Sequence, residues 1–209
     1  MQQFRIEPND YLSYPTRGYF HQYYTGYGRP GNPNFINNLK NTFADKSEEV
    51  IEDAIDQLKK ILVGDLPTIP FPRRGQQSIL CMCVPRAKEA SFYTSSLQFG
   101  FLFAVQTVAK QLNFLENGTE CIIRTSNTYT THLNKPIETY VNDGPRPYKG
   151  ITKDTCYINK TVVRGRTILL IDDVYTKSVN IDEDCIQALY DCGAKEVVFY
   201  AVAYTKRDA

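Results

Sequence analysis

Residues 166–180 read RTILLIDDVYTKSVN, and this stretch decides the fold. Ile168, Leu169, Leu170 and Ile171 form a short unbroken apolar run, the pattern of a strand buried on both faces of a parallel sheet. Two adjacent carboxylates, Asp172 and Asp173, stand at its carboxyl end. A short polar loop then leads into a helix over 181–192, with Ile181, Cys185, Ala188, Leu189 and Cys192 along one stripe and Gly193 as its stop. In open α/β sheets ligands gather at the carboxyl ends of strands. Free N–H groups at the start of the next helix make a cradle for phosphate. Acids beside such a cradle need a second purpose, such as sugar hydroxyls or a magnesium ion shared with the ligand. The combination points to a phosphorylated sugar.

The flanks repeat the alternation. Downstream, EVVFYAVA (196–203) reads as a strand. Upstream, SILCMCV (78–84) is a compact strand ending at Pro85, and residues 94–112 are a long helix, apolar almost all round near 99–105. TECIIR (119–124) is the second strand, 125–153 a polar loop, and 156–163 a half-buried strand turned by Arg164 and Gly165. Strands alternating with helices predict an α/β domain, a central parallel sheet flanked by helices. LPTIPFPRRG (66–75) holds three prolines and reads as a linker, which divides the chain into an extension over 1–70 and a main domain over 71–209. Within the extension an amphipathic helix is predicted over 47–62, with Asp45 and Glu48 as a capping box and Gly64 and Pro67 as its stop. Residues 1–44 show little regular structure. Six of the fifteen tyrosines fall between Tyr11 and Tyr27. Three readings of them stand open: a cap over the sheet, a protein interface, or stacking on single-stranded nucleic acid, for which Arg17 and Arg29 are too sparse to make a basic groove.

Composition removes several classes. The formal net charge of +1 argues against a protein whose whole surface tracks a nucleic-acid backbone. With 42% hydrophobic and 22% charged residues, the chain is expected to bury a core rather than stay disordered. The start, MQQFRIEPND, has no apolar signal core, and the densest apolar run, 99–105, is far short of the roughly 20 residues that span a bilayer. A soluble, cytoplasmic protein is expected. The six cysteines form no C-x-x-C pair and lie apart from His21 and His132, so reduced core residues are expected rather than a metal site or disulfides.

The run ILLIDDVYTKSVN resembles the phosphoribosyl pyrophosphate (PRPP) motif of type I phosphoribosyltransferases: four apolar residues, two acids, an apolar residue, then a loop of Thr, Gly and Thr or Ser. Val84-Pro85-Arg86 is similar to the pyrophosphate loop of the amidophosphoribosyltransferase-like, competence-protein-type branch, and IIRTSNTYTTHLNK resembles that branch's strand and mobile loop. The resemblance covers about residues 76–205. It implies that Asp172 and Asp173 contact the ribose hydroxyls, directly or through magnesium, and serve as catalytic and metal-binding residues. Thr176, Lys177, Ser178, Val179 and Asn180 would hold the 5-phosphate. Arg86 and Lys88 would meet the pyrophosphate, and Arg124 with the 125–135 loop would close over it. The implied activity is transfer of the phosphoribosyl group to an acceptor with release of pyrophosphate. Residues 1–70 would act as the hood on the acceptor side.

Two positions depart from the motif: its loop glycine is Ser178 here, and its closing Thr or Ser is Asn180. They motivate a second reading, a non-catalytic module that senses PRPP or a nucleotide and acts through a protein partner. A third is a nucleic-acid-associated effector in a bacterial defence or mobile-element setting. The acceptor and the oligomeric state carry no signal in the sequence, although dimers are common for this fold.

Overall fold

Alternate residues of the late apolar runs face opposite ways. Ile168 and Leu170 pack with Val197, Phe199 and Ala201 on one side, while Leu169 and Ile171 pack with Val198, Tyr200 and Val202 on the other. Strands apolar on both faces must be covered on both faces. That need sets the architecture in the computed structural model, which describes residues 1–71, 78–133, 137, 138 and 140–206. The chain begins with β1 (Gln2–Ile6), β2 (Thr16–Tyr24), α1 (Asn34–Lys40) and α2 (Glu48–Asp65). Next come β3 (Ile79–Cys83), α3 (Gly100–Gln111), β4 (Leu115–Asn117) and β5 (Ile122–Arg124). The last third holds α4 (Ile151–Thr155), β6 (Cys156–Ile158), α5 (Lys160–Val163), β7 (Thr167–Tyr175), α6 (Ile181–Asp191) and β8 (Glu196–Thr205).

Six strands form the main sheet in the order β1-β2-β8-β7-β3-β4. All neighbours are parallel except β1, which runs antiparallel to β2. Helices α1, α2 and α3 cover one face through Ile36, Leu39, Ala54, Leu58, Leu62 and Val105. The other face is covered by α6, through Cys185, Ile186 and Leu189, with Ile122 and Ile158 beside it. The expected α/β arrangement, a mostly parallel sheet between helices, is therefore present. Among the described residues, no helix is long and apolar enough to cross a membrane.

The N-terminal tyrosine-rich segment departs from expectation. It is not irregular: β1 and β2 are strands of the main sheet, and β2 lies beside β8 with Arg17 against Val198 and Tyr24 against Thr205. Tyr19 enters the core on one face and Phe20 on the other, as a buried strand requires. The ring of Phe4 meets Tyr175 at 5.0 Å and Tyr204 at 5.1 Å between centroids, so the aromatics form part of the core rather than a cap above it. A Cβ on Gly18 would lie 2.5 Å from the Phe4 ring, so a side chain there would push that ring off its contacts with Tyr175 and Tyr204.

Other boundaries move for local reasons. The expected long helix begins as a 3-10 turn, Ser96–Phe99, with the capping box made by Ser95 and Gln98, and becomes α-helical only at Gly100. The predicted strand over 119–124 does not join the main sheet. The edge beside β3 is taken by Leu115–Asn117, and Asn117 Oδ1 accepts from the Thr119 amide and hydroxyl to turn the chain away. Ile122–Arg124 instead pairs antiparallel with Cys156–Ile158 as a separate ribbon. The strand expected over 156–163 stops at Ile158, where Asn159 accepts from the Val162 amide and starts α5. Helix α2 starts after Ser47 without a side-chain cap, so Asp45 and Glu48 make no capping box, and it runs through Gly64 to Asp65. Residues 72–75 of the expected linker lie outside the described residues. All six cysteines are free, and five are buried.

Phe199 tests the packing account. It is fully buried between Tyr175 and Phe4 under α6. Phe199→Ala should lower unfolding free energy by about 3–5 kcal/mol, read from urea denaturation with an unchanged m-value.

Candidate functional site

Strand β7 does not end at the acids. It stays paired with β8 through Tyr175, opposite Tyr204, so Asp172 and Asp173 project from a strand rather than from a frayed end. They line a cavity of about 720 Å³ at the carboxyl ends of β3 and β7. Arg86, Lys88, Arg124, Thr176 and Val179 line the same cavity, together with Lys40, Thr42 and Tyr24 from the N-terminal segment. Ser178, Val179 and Asn180 line a smaller neighbouring cavity of about 310 Å³ with Tyr11, Tyr129, Thr131, Arg146 and Pro147. Lys177 is exposed and lines neither. Lys135, at the end of the expected mobile loop, lies outside the described residues.

The two acids have different surroundings. Asp173 is ion-paired to Lys40, with Nζ 3.0 Å from Oδ2 and 3.3 Å from Oδ1. Burial pulls the Lys40 pKa down, but the charge and hydrogen bond of Asp173 outweigh it and hold the ammonium above its ordinary value. Asp172 instead faces Asp182 in the first turn of α6. Burial, then the charge of Asp173, pushes Asp172 up to about 7, against the hydrogen bond it shares with Asp182. Burial and the Asp172 charge raise Asp182 well above the carboxylate range. Around neutrality the pair holds a proton between its two carboxyls, as like charges at close range require. Asp182 is 5% exposed and its Oδ1 has no partner among the described residues. The next two acids point elsewhere: Glu183 accepts from Tyr175 Oη at 2.7 Å, and Asp184 accepts from the amides of Gly150 and Thr152 at 2.5 and 2.7 Å.

The three expected pyrophosphate cations share the cavity wall, yet each head group is engaged inside the protein. Arg86 donates to the carbonyls of Lys40, at 2.7 Å, and Gln98, and stacks 4.5 Å above the Tyr93 ring. Arg124 donates from Nε to the Arg86 carbonyl at 2.9 Å and from its terminal nitrogen to Thr155 Oγ1. The Lys88 side chain is wholly buried, with Nζ 2.7 Å from Asp143 Oδ1 and 2.6 Å from the Asp143 carbonyl. Thr128 donates twice to the Ala87 carbonyl, and Asn127 Oδ1 accepts from the Glu89 amide. These bonds pin the long polar loop onto the loop after β3.

The 176–180 loop is a tight turn in which the Val179 amide donates to the Thr176 carbonyl at 2.9 Å. Thr176 Oγ1 and Thr205 Oγ1 lie 2.6 Å apart and fasten it to β8. Asn180 holds φ at +60°, a left-handed conformation that asparagine tolerates better than most residues, and its Oδ1 accepts from Asn9.

Sequence reasoning missed five participants. Lys40 sits on a seven-residue helix between proline and asparagine clusters, where no long periodicity marks it. Asp182 carries the signature of an exposed first-turn acid. Asp143 and Arg146 lie in a loop without periodicity, and Arg146 stacks 4.4 Å over Tyr129. His132 lines the cavity and is hydrogen-bonded to Thr42 Oγ1 at 3.0 Å. No protein-family model, curated protein or solved structure matches this chain.

Proposed function

We propose that the cavity at the carboxyl ends of β3 and β7 binds PRPP, and that the chain transfers its phosphoribosyl group to an acceptor with release of pyrophosphate. The observation that carries this reading is the convergence of Asp172 and Asp173 on one cavity with Arg86, Lys88 and Arg124. Under this reading the fold is that of a type I phosphoribosyltransferase, and residues 1–70 supply the hood through Tyr24, Leu39, Lys40 and Thr42.

The chemistry needs two poles. As the bond from the anomeric carbon to the diphosphate oxygen breaks, positive charge grows on the ribose and negative charge on the leaving group, and the acceptor's lone pair forms the new bond. Asp172 and Asp173 hold the hydroxyls on the positive side, and the remaining N–H groups of Arg86 and Arg124 face the leaving oxygens. The loop pinned by Lys88 keeps water from the sugar cation. Magnesium fits the acids in part. Asp172 and Asp182 share one proton and so keep a single negative charge between them, and Asp182 leaves a buried oxygen without a partner among the described residues, whereas Asp173 is already neutralised by Lys40. When bound there with the ligand, the ion would be held by Asp172 and would neutralise diphosphate charge.

One observation favours the sensing alternative: the head groups of all three expected pyrophosphate cations are satisfied by the protein's own oxygens. Calorimetric titration with PRPP and a pyrophosphate-release assay across amine and base acceptors separate the two. A transferase binds and releases pyrophosphate. A sensor binds and leaves PRPP intact. No binding at millimolar PRPP removes both.

A further inference from the structure

Lys40 is held in place before any ligand arrives. It closes α1, which is anchored by buried Phe35, Ile36 and Leu39 and by the Tyr24 hydroxyl donating to Asn37 Oδ1 at 2.8 Å. The Lys40 carbonyl accepts from Arg86 at 2.7 Å, which fixes the backbone under the side chain. Its ammonium then meets both oxygens of Asp173, and the two side chains are only 21% and 23% exposed. Magnesium takes a near-octahedral set of oxygens and gives up its water reluctantly. A carboxylate already engaged through both oxygens by a fixed ammonium offers it little charge, and a second cation beside that ammonium meets direct repulsion.

We propose that Lys40 is a ligand-site residue whose ammonium is the resident cation at Asp173, so that this site binds a diphosphate-bearing sugar with little dependence on magnesium. The inference rests on the reading of the cavity as a PRPP site. It places the lysine among the sugar hydroxyls and the nearer diphosphate oxygens, where a metal ion would otherwise bridge them. An ammonium supplies fixed charge there without the dehydration that a divalent ion requires.

Two measurements decide it. In the first, PRPP is titrated into the full chain by calorimetry with excess magnesium and again with EDTA. The wild-type affinities should agree within about twofold, and loss of at least about tenfold in EDTA overturns the proposal. Lys40→Arg, which keeps the charge, should preserve that agreement, whereas Lys40→Met should make binding depend on magnesium by at least about tenfold. In the second, Mn²⁺ is titrated into the ligand-free protein and followed by electron paramagnetic resonance. Wild type should take up no Mn²⁺ at submillimolar concentration, and Lys40→Met should gain affinity by at least about tenfold. Equal, tight uptake by both proteins overturns the proposal. Should Lys40→Met fail to fold, the wild-type comparison in magnesium and EDTA and the wild-type Mn²⁺ titration still decide it. Absence of PRPP binding under every condition discards the reading of the cavity, and the Mn²⁺ titration then decides the role of Lys40 alone.

Discussion

Asp172→Asn should stabilise the folded protein at alkaline pH while erasing the proposed phosphoribosyl transfer, and Asp173→Asn should erase that proposed transfer while destabilising the fold. The Asp172 carboxyl gives up its proton near pH 7 in the folded chain and near pH 4 when unfolded. Below both values the proton is present in both states. Between them the folded state holds more protons than the unfolded one, so stability falls as pH rises, and above about pH 7 the whole penalty is present. Asparagine cannot ionise, and its amide can donate to Asp182. The gain should be on the order of a few kcal/mol at pH 8, vanishing towards pH 4, although the slope belongs to the Asp172–Asp182 pair. Asp173→Asn leaves the Lys40 ammonium without its countercharge. With both heads partly exposed the cost is about 1–3 kcal/mol. Thermal melts of the two variants from pH 4 to 8, beside pyrophosphate release, check both signs. A wild-type melting temperature that does not fall between pH 4 and 7 would exclude the shared proton.

Gly144→Ala should release the loop over the cavity. Its φ is +91°, and a Cβ there would lie 2.4 Å from the Asn127 carbonyl oxygen and 2.9 Å from the Thr128 Cα. Both obstacles are backbone, so neither can swing away as a side chain would. Strain from the left-handed conformation alone is about 1–3 kcal/mol, and the clash adds to it. The loop's contacts then give way together: the Lys88 bonds to Asp143, the Tyr129 amide to the Pro145 carbonyl, and the Thr130 amide to Asn142. Local opening limits the damage, so global stability should fall less than the strain implies. Hydrogen exchange should show lost protection at Thr128, Tyr129 and Thr130 with the sheet amides unchanged, and PRPP affinity should change by at least about tenfold. Unchanged protection at those three amides would show that the backbone accommodates the methyl group.

Legibility in the sequence followed the range of the forces involved. Ile168, Leu169, Leu170 and Ile171, the run Val197–Val202, and the stripe of Cys185 and Leu189 were readable because neighbours in sequence share one buried environment. The tyrosine-rich strand was not. TRGYFHQYY interleaves Gly, His and Gln with aromatics, and its strand character comes from packing against β8 and Phe4, which no local pattern encodes. The 119–124 segment has strand composition, but its partner is Cys156–Ile158 rather than the main sheet, and composition does not choose partners. At the site, the residues that reach the cavity were largely legible, since strand ends place them. What their heads bond to was not. Arg86 is held by the carbonyl of Lys40, Lys88 by Asp143, and Asp172 by Asp182, each brought from another part of the chain by tertiary packing.

The position of β2 bears on how the protein is made. Residues 16–24 leave the ribosome long before residues 196–205, yet Arg17 and Tyr24 find their parallel neighbour in that late stretch. Until then a strand with Tyr19 on one side and Phe20 on the other waits without its sheltering partner. Such distant closure slows folding and prolongs the exposure of sticky surface. Nascent chains stalled before residue 196 should therefore recruit chaperones at the amino-terminal tyrosines, and release of the last strand should end that dependence.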